Sequence, residues 1–207
     1  MKIMKTTSLK LFQPATLAAL AIITLWGVSI RPAQAGYTVT LQQLGTAVVA
    51  TGSGAIDLNG LTFSQSATAV NPGLRPNGGP PRPLEFEWII TGPTSSSVDI
   101  YFSPSGPTNF GSGGAASANS GSGNMVGVVT SAFWGNVLYV PMGYISGTAL
   151  SDMAIYNNAT FATLGATPGT YVWTWGIGPN QNFTLQIVCT GRCAPTPRPR
   201  PTPAPRP

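Results

Sequence analysis

The chain has 207 residues, with ten Lys and Arg, five Asp and Glu, no histidine, 25 glycines and 20 prolines. A charged fraction of 7% beside 43% apolar residues excludes an acidic disordered chain and a water-facing helical bundle, and the length points to one domain. Without histidine there is no Ser-His-Asp triad, no Cys-His pair and no imidazole metal site, so no catalytic residue, metal ion or cofactor is expected.

The N-terminal segment reads as an export signal. Lys2, Lys5 and Lys10 precede an apolar run from Leu17 to Ile30, and Ala33-Gln34-Ala35 forms a small-x-small cleavage site. The pattern predicts a signal peptide over residues 1–35, cut between Ala35 and Gly36. The protein is then exported to the periplasm, the cell surface or the medium and keeps no stable transmembrane segment. An uncleaved anchor from Phe12 to Ile30 would come close to the roughly 20 residues that cross a bilayer. Gln13, Pro14, Thr16 and Thr24 interrupt that span.

All three lysines leave with the signal. The body from Gly36 to Val188 holds Arg75 and Arg82 against Asp57, Glu85, Glu87, Asp99 and Asp152, while Arg192, Arg198, Arg200 and Arg206 lie beyond it. The basic balance therefore belongs to the chain ends. A body without a basic patch has nothing to neutralise phosphates, which excludes nucleic acid as a partner.

Apolar residues recur with a period of two along the body, broken by turn residues at short intervals. Tyr37 to Leu41 and Ala47 to Thr51 form an opening hairpin. A short strand lies within Ile56 to Phe63, broken by Asn59-Gly60, and Val70 to Pro83 is a surface loop rich in proline. Glu85 to Ile90 is a strand with Phe86, Trp88 and Ile90 on one face, and Val98 to Phe102 is another. Ser103 to Gly123, rich in Gly, Ser, Ala and Asn, reads as a long loop. Met125 to Thr130, Val137 to Val140, Ala154 to Tyr156, Tyr171 to Trp175 and Phe183 to Val188 complete roughly nine or ten strands. Asn158 to Leu164 holds one helical turn, capped by Gly165 and stopped by Pro168. The expected fold is all-β, a β-sandwich (jelly-roll or Ig-like) of short antiparallel strands over residues 36–193.

Residues 194–207 change character, with proline at every second position from Pro195 to Pro207. Proline fixes φ and removes donors, so this disordered proline-rich tail joins no strand or helix and favours extended polyproline II. It is either a solvated, semi-rigid spacer or an arginine-bearing contact to an anionic wall or polysaccharide.

Several segments carry a family resemblance. Asn158-Ala-Thr-Phe-Ala-Thr-Leu-Gly-Ala-Thr-Pro-Gly-Thr-Tyr-Val-Trp-Thr-Trp-Gly176 and Phe183-Thr-Leu-Gln-Ile187 resemble the closing block of exported bacterial PEP-CTERM proteins. So do Val48 to Leu61, Gly106 to Gly114 and Leu138 to Gly147. The resemblance implies a Gram-negative exported body, often from a producer of exopolysaccharide, and assigns no activity. The sorting tail of that family is absent, with neither Pro-Glu-Pro nor a C-terminal apolar span before Pro207. Sorting by an exosortase is therefore not expected.

Few residues offer chemistry. Cys189 and Cys193, the two cysteines, are expected to form a disulfide in an oxidising compartment, with Gly191 permitting the tight loop. The pair lacks the C-x-x-C spacing of redox catalysts and the four ligands of a zinc site. Glu85 and Glu87 share a strand face, side by side rather than across a cleft as a glycosidase needs. Asp152 near Asn157 and Asn158 offers a calcium site that matches no known loop spacing. Tyr171, Trp173 and Trp175 alternate onto one face of a strand, with Val172 and Thr174 on the other. They either fill the core or, with Trp134, form a strip that stacks on sugar rings. The expected function is an exported, non-enzymatic cell-envelope or extracellular-matrix protein. Its alternative is a carbohydrate-binding (exopolysaccharide) module using Trp134, Trp173 and Trp175. Partners are polysaccharide or other envelope components.

Overall fold

Alternating burial sets the first sheet. β1 (Tyr37–Leu44) buries Tyr37, Val39 and Leu41, and β2 (Ala47–Ala55) buries Val48 and Ala50. The two pair antiparallel from Tyr37 opposite Gly54 to Leu44 opposite Ala47, and Gly45 in the turn takes φ 62°. Without a Cβ it enters the left-handed region at no steric cost. The computed structural model describes residues 36–78, 86–131 and 135–189. The expected signal peptide, Ala35, Glu85, Trp134, Cys193 and the proline tail lie outside them.

The remaining elements are β3 (Thr62–Val70), β4 (Gly73–Arg75), β5 (Phe86–Thr91), β6 (Ser96–Phe102), β7 (Ala116–Ser117), β8 (Ser120–Gly123), β9 (Val126–Ser131), β10 (Gly135–Pro141), β11 (Ala149–Asn157), α1 (Phe161–Leu164), β12 (Gly169–Thr174) and β13 (Asn182–Val188). One sheet has the order β12-β13-β1-β2-β11-β8 and the other β3-β6-β10-β9-β5-β4-β7. They pack face to face, so the protein is a β-sandwich. Among the described strands every ladder is antiparallel except one: β1 and β13 run parallel, Tyr37 beside Phe183 through Gln42 beside Val188. The first and last strands thus meet in the middle of a sheet, and joining them closes the loop of the whole body.

The core lies between the sheets. From the first come Tyr37, Val39, Leu41, Ala154, Tyr156, Trp173, Phe183, Leu185 and Ile187; from the second, one row of paired residues, Leu74, Ile89, Val128 and Leu138, faces them. The second sheet is also apolar on its outer face. Ile90, Val98, Ile100 and Met125 are buried there, with Trp88, Val129, Val137 and Tyr139 packed against them. A sheet apolar on both faces loses clean alternation, as the Phe-Glu-Trp-Ile-Ile run of β5 shows.

The strands missed by periodicity are polar or glycine-rich. The segment Ile56 to Phe63 is mostly turn, and the strand begins at Thr62. β3 is an edge strand whose side chains are largely exposed, so no apolar alternation marks it. The Val70 to Pro83 region contains β4, which buries Leu74 against β5. The long Gly/Ser stretch contains β7 and β8. β8 pairs with β11, and a Cβ at Gly121 would run into the carbonyl oxygens of Gly92 and Met153. The composition that reads as loop is what lets this strand lie close to another backbone. The helical turn is present as expected: Thr160 caps α1, Thr163 reciprocates, and Gly165 closes it at φ 63°.

One end of the sandwich is tied at Asp57. Its Oδ1 accepts from the Asn59 amide (3.0 Å) and Ser146 Oγ (3.3 Å), and its Oδ2 from Gln181 Nε2 (3.2 Å). Three connections, β2–β3, β10–β11 and β12–β13, therefore share one carboxylate. Asp57→Ala is expected to cost about 2 kcal/mol, the scale of hydrogen bonds to a charged group. Urea unfolding would read it, and a midpoint equal to that of the parent would show that the tie contributes nothing.

Candidate functional site

The expected aromatic strip is not a surface. Trp173 is 1% exposed, its ring edge-on to Phe183 at 5.8 Å, and its indole N–H donates to the Pro107 carbonyl at 3.1 Å. Trp175 is half-buried and donates to the Asp57 carbonyl at 2.7 Å. Tyr171 packs edge-on to Phe110 at 6.1 Å. Of the two placements that the alternation allows, the structure takes the core: Trp173 points into the sandwich, where large rings gain most from leaving water. Trp173 is therefore withdrawn as a ligand contact. Trp134, its proposed companion, lies outside the described residues.

The described candidate acids, Glu87 and Asp152, are engaged within the fold. Glu85 is outside the described residues, and Glu87 accepts from the Gly78 amide at 3.1 Å. Asp152 sits between the sheets. Its Oδ2 accepts from Tyr37 Oη (2.5 Å) in the same sheet and from Thr91 Oγ1 (2.8 Å) in the opposite one. Asn157 lies five positions along β11, hence on the other face, and its amide binds Asn119 Oδ1. The calcium grouping of Asp152 with Asn157 and Asn158 therefore does not form. Among the described residues no three His, Cys, Asp or Glu side chains gather as metal ligands do. Cys189 is described, but the expected pairing also needs Cys193, outside that range. Gly36, the residue after the expected cut, is buried, and its N–H donates to Asn180 Oδ1 at 3.0 Å.

Asp152 is the one described carboxylate with a strongly shifted protonation. Burial pushes it up to about 6, against the pull of hydroxyls from Tyr37 and Thr91 and of the neighbouring Gly52 backbone. Its Oδ1 and the Tyr156 hydroxyl are buried without a hydrogen-bond partner. Burial, reinforced by this carboxylate, pushes the phenols of Tyr37 and Tyr156 well above their ordinary range. Gly52 must remain glycine, because a Cβ there would strike Tyr37 Oη and Asp152 Oδ1. The cluster ties the sheets together.

An open site among the described residues lies on the outer face of the second sheet. Register places Arg75, Trp88, Val129, Val137 and Phe102 in one row across it. In the next row stand Gly73, Ile90, Gly127, Tyr139 and Ile100. Phe86, Trp88, Val129 and Tyr139 are half-buried, and between them and two walls, Asn71–Pro72 and Ala115–Ser117, runs a groove of about 350 Å³. That volume is at the small end of ligand sites, which run from about 300 to 1,000 Å³. The Arg75 guanidinium lies 5.7 Å from the centre of the Trp88 ring and donates to the Gly78 carbonyl at 2.8 Å, which steadies the indole. Exposed Asn71 and Ser117 and the Tyr139 hydroxyl supply polar groups.

The sequence held part of this signal, since Phe86, Trp88 and Ile90 share a face by alternation. Tyr139 joins them only through the pairing of β10 with β9 and of β9 with β5. The five charged side chains among the described residues are all occupied in the fold: Asp57, Arg75, Glu87 and Asp152 as above, and Asp99 by Ser66 Oγ (2.6 Å) and the Gly143 amide (2.8 Å).

No family model matches the chain, and no curated protein or solved structure is significantly similar to it. Fold and site define a two-sheet β-sandwich with an aromatic groove on the outside of one sheet.

Proposed function

We propose that the protein is an exported, non-enzymatic component of the cell envelope or extracellular matrix, and that it holds polysaccharide on the outer face of its second sheet. The observation that carries this reading is the half-exposed group of Phe86, Trp88 and Tyr139 in a concave groove. Aromatic rings offer sugars an apolar face, and Asn71 and Ser117 at the rim can bond hydroxyl groups. Export rests on the signal pattern of residues 1–35. In the same setting a Cys189–Cys193 disulfide would lock the end of β13 where the tail departs.

A second reading is a matrix protein that packs against its own kind. It is favoured by the internally engaged charges and by exposed Phe63, Ile145 and Ile177, since little electrostatic repulsion would keep copies apart. Co-sedimentation with the exopolysaccharide of the host separates the two. The chain from Gly36 to Pro207 and the same chain stopped at Cys193 are both expected to pellet, and Trp88→Ala to stay in solution. If only the longer chain pellets, the arginine-proline tail is the contact and the groove reading fails. If neither pellets, self-packing is the better account.

A further inference from the structure

We infer that the ligand of the outer groove is an uncharged polysaccharide, gripped over at least two consecutive sugar rings; this rests on the carbohydrate reading above. The charge argument comes from the lining. Among the described residues that form the groove none carries a charge, and the one ionisable group, the Tyr139 phenol, is pushed up by burial and stays neutral. Among the described residues the one cation at its edge is Arg75, already bonded to the Gly78 carbonyl, while the Gly78 amide is held by Glu87. One residue thus joins an arginine and a glutamate, and that end of the groove is balanced. A polyanion laid here would lose its counterions and hydration and meet no uncompensated positive charge. A neutral chain loses neither.

The length argument comes from the sheet. Trp88 on β5 and Tyr139 on β10 are separated by β9, two strand spacings or about 10 Å across the sheet. One sugar ring cannot stack on both, whereas two rings joined in a chain cover that distance. Asn71 and Ser117 stand along the wall beside the same path, where ring hydroxyls would point. The arginine-proline tail remains a separate, charge-dependent contact, so the two modes differ in their response to salt.

The test uses the full exported chain and the host exopolysaccharide, separated by anion exchange into uncharged and acidic fractions. Binding is read by affinity electrophoresis from about 0.01 M to about 1 M salt, over which the screening length falls from about 30 Å to about 3 Å. The uncharged fraction is expected to retard the chain, with affinity constant within about twofold across that range. Trp88→Ala and Tyr139→Ala are each expected to weaken retardation at least about tenfold, as loss of a central aromatic anchor does. Ser117→Trp, at an exposed wall position remote from the core, is expected to block the groove equally and covers the case in which the alanine variants fold poorly. A monosaccharide released from the uncharged fraction should compete at least about tenfold less well than its oligosaccharides, because it engages one anchor only.

Salt-sensitive binding to the acidic fraction that Ser117→Trp removes would overturn the uncharged class and leave the groove reading standing. Retardation unaffected by all three variants would overturn both, as would no retardation by either fraction. Concentration-dependent dimerisation abolished by Ser117→Trp, without any polysaccharide retention, would show that a second copy covers the groove and would also overturn both.

Discussion

Trp173→Ala is expected to lower the unfolding free energy by about 3–5 kcal/mol, the range for removing a large aromatic from a close-packed core. The residue is 1% exposed and lies against Phe183, so the cavity left behind is walled by side chains that relax only in part. The loss has a second component. The Trp173 indole bonds the Pro107 carbonyl and its ring lies against the Gly106 backbone, so it pins the loop that follows β6. The Ser105–Thr174 bridge next to it shares that anchorage. Hydrogen exchange in residues 105–110 should therefore accelerate more than in β1 and β13. A domain of ordinary stability, roughly 5–15 kcal/mol, would be left marginal. The check is the denaturant midpoint at constant slope. A loss below about 0.5 kcal/mol, the usual scale for a surface substitution, would mean that Trp173 is exposed after all and would reopen the strip reading.

Asp152→Asn is expected to act in the opposite direction and only at the higher pH. The carboxyl has an ordinary value of 3.8 and is pushed up to about 6 in the fold, chiefly by burial. The folded state therefore holds its proton more tightly than the unfolded chain does. Stability from this group is complete below about pH 4, falls as pH rises, and is fully lost above about pH 6. At about 1.4 kcal/mol for each pH unit separating the two values, the cost of the ionised form reaches about 3 kcal/mol at neutral pH. Asparagine keeps the size and an oxygen for the Tyr37 and Thr91 hydroxyls but carries no charge. The variant should match the parent near pH 4 and exceed it by about 1–3 kcal/mol at pH 7, the lower figure allowing for the amide protons it must satisfy. Equal stability curves for parent and variant between pH 4 and 7 would show that Asp152 is ionised at no cost, with Oδ1 solvated. Protonation of this one buried acid therefore adds no cost to the fold as the pH falls toward 4.

Much of the fold was legible from residues alone. The opening hairpin, β13 and the shared face of Tyr171 and Trp173 in β12 follow from alternation, since side chains at i and i+2 share a face. α1 followed from Gly165 and Pro168, which act within one turn of chain. The polar edge strand β3 and the glycine strand β8 escaped because their reason for being strands lies in a partner. β3 needs β6, and β8 needs β11 and the closely placed Gly92 backbone.

The candidate site divides in the same way. Composition and spacing determined by themselves that the body is all-β, that it lacks imidazole chemistry, and that Phe86, Trp88 and Ile90 share a strand face, because each of these is a local or a summed property of the chain. Tertiary structure alone decided which aromatics are buried. Trp173 and Trp88 both sit in alternating strands, and nothing local separates an inner face from an outer one when a sheet is apolar on both sides. It also decided that Asp152 reaches Thr91 across the sandwich and that Tyr139 stands two strands from Trp88. Those neighbours are 61 and 51 positions apart in the chain, and only strand order brings them together.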